Sequence, residues 1–236
     1  MEPTPNSNNK TARLAAFLFI CVGLPLALWG EVYVPSKIFV PQDPVATADS
    51  LLSNEFIFRT STFCHIAGNI LFVLMSLMLY RILKPVDNHL SRLMIIPVLA
   101  QFPIVVVMEI FTLTALTILK SDPRPNFDVT QQQEVAYLLM RMARNGIGFT
   151  KLILGLSFIP WGMLFLRSGF IPRVFGVLVI ISGVGYVADF CFNILLQRPV
   201  YLLIQPYARG AFIGFLVTML WLLVKGTREL KVVTSL

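Results

Sequence analysis

In the apolar run GVGYVADFCFNILL, residues 183–196, Asp189 and Asn193 lie four apart, the spacing that places two side chains on one helix face. Tyr186 and Ser182 extend that face. Three further rows follow the same three-and-four spacing: Tyr137, Arg141, Arg144, Gly148, Lys151 and Gly155; Ser61, His65, Asn69, Phe72 and Ser76; and Gln101, Val105, Glu109 and Thr112. The rows hold carboxylates, an imidazole, amides and cations, which can pair charges, exchange protons or hold a polar ligand. An ionised group in hydrocarbon costs about 2.5–3.5 kcal/mol on insertion scales, so such groups face a partner or a wet interior.

His65, Asn69, Glu109, Arg144, Lys151, Tyr186, Asp189 and Asn193 therefore form the predicted polar cluster. One reading is structural: Asp189 and Glu109 pair with Arg144 and Lys151, and the amides complete a network that fixes helix order. In another, the rows line a cavity whose surplus of cations suits an anionic or polar-headed ligand, a lipid headgroup or a quinone-like amphiphile. A purely structural role within a membrane complex, with another membrane protein as partner, is the third. An enzyme is the fourth: Ser61 and His65, with Asp189, resemble intramembrane zinc hydrolases of the alkaline ceramidase and adiponectin receptor kind. Those use three histidines, whereas this chain has 2, one of them His89 in a turn. That is a poor donor set for zinc, and no metal, cofactor or catalytic residue is assigned.

Such rows need helices in a membrane to carry them. The mean hydropathy is +0.77, and 56% of the 236 residues are hydrophobic against 13% charged. A helix needs about 20 apolar residues to cross a ~30 Å hydrocarbon layer. Six segments qualify: Ala12 to Gly30, Phe58 to Leu79, Leu93 to Leu116, Tyr137 to Phe165, Val174 to Leu196 and Arg209 to Val224. The predicted class is an all-α polytopic bundle, residues 12–230, between a disordered tail at 1–11 and a C-terminal tail at 231–236. A closed barrel would show shorter alternating segments. The first span does not read as a cleaved signal, because Trp29 spoils a small-residue site.

Lys10, Arg13, Arg81, Lys84, Arg92, Arg167, Arg173, Lys225, Arg228 and Lys231 gather at one set of helix ends, which puts both termini in the cytoplasm. Asp189, Glu109, His65 and Arg144 then lie in the outer half, with Lys151 nearer the midplane. The net charge of +7 is spread over these helix ends and meets anionic lipid, so no nucleic-acid partner is implied. Cys21, Cys64 and Cys191 fall within spans and read as small hydrophobes. Glycines 146, 148 and 155 read as close helix packing, and Pro25, Pro97, Pro103 and Pro160 as kinks. The loop from Pro44 to Phe58 reads as a short interfacial helix. No internal repeat is visible.

The segment RSGFIPRVFGVLVIISGVGYVAD, residues 167–189, resembles the signature of a bacterial integral-membrane family known as domain of unknown function 4386. The stretches ARLAAFLFICVG and VPQDPVATADSLLSNEFIFR are similar to the same family. The resemblance implies a six-helix protein of the bacterial inner membrane, with Asp189 at a family-type position. It departs from the family in helix four, where Arg144, Lys151 and Ser157 stand in a region that often carries histidine.

Overall fold

The computed structural model describes residues 5–123, 127–197, 200, 203, 205, 206 and 210–227, with side chains from residue 8 onward. Residues 1–4, Arg209, Arg228 and the tail at 231–236, all used in the sequence reading, lie outside these.

The chain is helical almost throughout. The first helical stretch runs from α1 (Pro5–Phe17) through a π-helical turn (Leu18–Gly23), α2 (Leu24–Ala27), a second π-helical turn (Leu28–Tyr33) and α3 (Val34–Ile38). It therefore begins ahead of the expected Ala12 and continues past Gly30. Each π turn ends two positions before a proline, Pro25 and Pro35. A proline ring crowds the carbonyl four residues earlier and donates nothing to it, and a widened turn relieves that clash without ending the helix.

Then follow α4 (Pro44–Ser53), α5 (Glu55–Leu83), α6 (Asn88–Lys120), α7 (Val129–Ser168), α8 (Arg173–Leu195) and α9 (Phe212–Lys225). Polar caps set several starts. Asp43 accepts from the Ala46 amide at 2.8 Å, and Asp87 accepts from the His89 and Leu90 amides, each at 3.0 Å. Ahead of α7, Asp128 accepts from the Gln131 amide at 2.8 Å while the Gln131 side chain accepts from the Asp128 amide at 3.0 Å, a reciprocal capping box.

Among the described residues, five helices are long and apolar enough to cross a membrane: Asn8–Ile38, Glu55–Leu83, Asn88–Lys120, Val129–Ser168 and Arg173–Leu195. That is the make-up of a multi-pass membrane protein. The sixth expected span forms α9, whose 14 residues reach about 21 Å at ~1.5 Å per residue, short of a ~30 Å core.

The described residues fall into two compact units. One draws on Met1–Cys21, Leu71–Gln101 and Lys151–Leu236. Its core is aromatic: Phe158 stacks on Phe215 with centroids 4.4 Å apart, and Trp161, Phe72, Phe19 and Phe212 close around them. Glycines let α7 and α8 touch backbone to backbone. A Cβ on Gly155 would sit 2.8 Å from the Gly183 carbonyl, and one on Gly162 would sit 2.5 Å from that of Gly176. The seven-residue spacing on both helices is that of an antiparallel seam of small residues. Of the three glycines read as packing points, Gly155 serves so here, while Gly148 faces open space.

The other unit draws on Val22–Ile70 and Phe102–Thr150. Val34, Ile38, Leu51, Phe58, Leu116 and Met140 form its apolar centre. Gly146 meets Met108, so a side chain there would displace that methionine.

Candidate functional site

In this second unit the first helical stretch lies almost in backbone contact with α5. A Cβ on Gly30 would be 2.5 Å from the Ser61 carbonyl and 2.6 Å from the His65 amide, and one on Gly68 would be 2.9 Å from the Ala27 amide. No other residue type fits either position without a shift. The contact brings the second π turn against His65, and that turn carries Glu31.

His65 is 2% exposed and Glu109, on α6, is 7% exposed. Their side chains meet at 2.6 Å between Nδ1 and Oε1. So short a contact requires a proton between the two atoms, on the ring or on the carboxyl. On the other side of the ring, Nε2 lies 4.0 Å from Oε2 of Glu31, whose side chain is 25% exposed. Asn69, one turn further along α5, donates its side-chain N–H to the His65 carbonyl at 2.9 Å. The result is one imidazole between two carboxylates, the first buried and the second partly accessible.

The eight predicted residues divide four to a unit. The structure brings together His65, Asn69 and Glu109. Glu109 was expected to pair with a cation, and the partner found is His65. Arg144, in the same unit, lies with its guanidinium 4.3 Å from the centroid of the Phe39 ring. In the other unit Asp189 is buried on α8, Lys151 is partly buried on α7, and Asn193 is exposed. The Tyr186 ring stacks against Phe158 and Phe212, with centroids 5.9 and 5.5 Å away. Ser182, from the same row, accepts from the Phe215 amide at 3.0 Å and donates to the Ala211 carbonyl at 2.6 Å, tying α8 to the start of α9.

The family described as Domain of unknown function (DUF4386) matches residues 14–226, most of the chain. The chain belongs to the DUF4386 family. No curated protein and no solved structure matches it.

One member of the site in this DUF4386 chain was missed by sequence reasoning. Glu31 sits just past Gly30, where the span was expected to end. The signal available was the acid itself, inside LWGEVYV, a run otherwise as apolar as the span before it. Among the described residues no three His, Cys, Asp or Glu side chains are gathered so as to hold a metal ion. What the group can do chemically is hold protons and form charge-assisted hydrogen bonds within an apolar setting, where both are strong.

Proposed function

We propose that this DUF4386 protein is a six-span protein of the bacterial inner membrane, both termini cytoplasmic, that binds the polar head of a small amphiphile at Glu31, His65 and Glu109. The observation that carries the reading is the buried His65 ring, fixed on one edge by Glu109 and turned on its other edge toward a partly exposed acid. Polar groups inside membrane helices are costly and cluster where ligands or ions are handled. The π turn that holds Glu31 supports the same view, since such turns are frequent at functional sites. Two carboxylates beside one imidazole repel a phosphate and suit a hydroxyl or carbonyl head, so a quinone-like molecule or a neutral lipid fits better than an anionic one.

The test is mass spectrometry of lipids and quinones that co-purify with the wild type and with His65→Ala in the same detergent. A species enriched with the wild type and lost with the variant is the expected result. Identical profiles would remove the reading.

The topology rests on the basic helix ends and takes α9, which packs against α1 and α8, as the core of a sixth crossing although its 14 residues fall short of a full span. Single cysteines placed at Asp49 and Asn88, in a chain lacking its native cysteines, test it with an impermeant maleimide on intact cells. Asp49→Cys is expected to label and Asn88→Cys to stay protected; the reverse pattern would invert the protein.

A further inference from the structure

Glu109, His65 and Glu31 form a row in which one ring joins two acids of unequal access. Glu109 from α6 and Glu31 from the second π turn both face His65. On its own helix the neighbours one turn away are Ser61 and Asn69, neither of which ionises. Arg144, on α7 in the same unit, lies with its guanidinium over the Phe39 ring.

We propose that this row is a proton relay, carrying a proton between the accessible Glu31 and the buried Glu109 by way of the two nitrogens of His65. The inference rests on the same site as the proposed function and is independent of which amphiphile binds there. The step balances in protons and charge. A protonated Glu31 gives its proton to Nε2 and becomes a carboxylate; the ring, briefly a cation, gives its Nδ1 proton to the Glu109 carboxylate. The ring ends neutral with its proton on Nε2, and the reverse passage restores it. The 4.0 Å between Nε2 and Glu31 exceeds a hydrogen bond by about 1 Å. Rotation about the Glu31 side-chain bonds covers such a gap. On the other edge the 2.6 Å contact with Glu109 is already at transfer distance.

The chain has 2 histidines, and His89, expected in a turn, is exposed in the first turn of α6. Labelling the full-length protein in lipid nanodiscs with ¹⁵N-histidine thus gives one signal from the row and one internal control. The measurement is the rate at which each ring N–H exchanges with D₂O. In the wild type His65 is expected to exchange although buried, and Glu31→Gln is expected to slow it about 100-fold, the lower end of what a positioned proton-transfer group contributes. Exchange at His89 should not change. Glu31→Asp, which keeps the acid on a shorter arm, should fall between the two, and serves if the glutamine variant does not fold.

Equal His65 rates in wild type and both variants would overturn the relay, as would a His65 ring that never exchanges in the wild type. Identical lipid and quinone profiles for wild type and His65→Ala, with His65 exchange slowed by Glu31→Gln, would remove the ligand reading alone. A species enriched with the wild type and lost with His65→Ala, with His65 exchange unchanged by either Glu31 substitution, would remove the relay alone.

Discussion

At the scale of the residue, the pairing of His65 with Glu109 dominates. A buried polar atom that loses its partner costs about 1–3 kcal/mol, whereas replacing both partners by apolar groups costs much less. Glu109→Leu is therefore expected to lower stability by about 2 kcal/mol, and adding His65→Leu should recover part of that loss. Thermal unfolding in detergent reads both; strictly additive losses would show that the two side chains are not coupled. Asp87 offers a pH test away from the spans. Its hydrogen bond from the Leu90 amide, helped by the Arg167 charge and the His89 amide and opposed by partial desolvation, holds its carboxyl below the usual range. The Arg167 contact is 2.6 Å. A carboxyl held low in the folded state stabilises above its unfolded value of about 3.9, and that contribution fades as pH falls through the folded value. Below about pH 4 the wild type should lose stability faster than Asp87→Asn, as judged by melting temperature across a pH series; parallel curves would refute the linkage.

At the scale of the element, apolar length announced the long helices, but the rotation that decides which polar faces meet was not legible. Hydropathy predicted 58–79, 93–116, 137–165 and 174–196, and the helices found are Glu55–Leu83, Asn88–Lys120, Val129–Ser168 and Arg173–Leu195. Three of the four extend further because hydropathy marks the hydrocarbon layer, while Asp87 and Asp128 set where two of them begin. The row containing His65 and the row containing Glu109 were both readable as faces. Their mutual pairing was not, since periodicity gives a direction around one helix and nothing about its neighbour. Glu31 was lost to a different physics: prolines that usually end a helix are here absorbed by π turns. The glycine seam carries the prediction for this scale. Gly183→Ala puts a methyl 2.7 Å from the Gly155 carbonyl, and such overpacking costs about 1–3 kcal/mol. Denaturation by a harsh detergent should show it, and an unchanged midpoint would mean that α7 and α8 part without cost.

At the scale of the whole chain, its two ends are tied. Arg13 donates from Nε to the Leu223 carbonyl at 3.2 Å and from Nη2 to that of Val224 at 2.8 Å, satisfying carbonyls that the end of α9 leaves open. Asn9 accepts from the Thr227 amide at 3.2 Å. Between them Gly226 turns the chain with φ at +67°, a conformation that suits glycine, and Asn9 occupies the space a side chain would need. The distance in sequence between these partners is invisible to any local pattern. Arg13→Ala should release this end, and limited proteolysis of the folded protein should then cut near Gly226 several-fold faster; an unaltered rate would leave the tie without consequence.

The second π turn has one more implication. A π turn holds about one residue more than an α turn, while the helix on either side keeps its angular position. It thus behaves as a tolerated insertion, and the extra residue falls beside the acid. Removing a single residue between Leu28 and Glu31 would leave Pro25 and the Val34–Ile38 packing seated, yet swing Glu31 around the axis by as much as about 100°. The outcome to look for is a deletion variant with an ordinary melting temperature and a His65 ring cut off from solvent. It would mark the bulge as the change that brought an acid to the histidine.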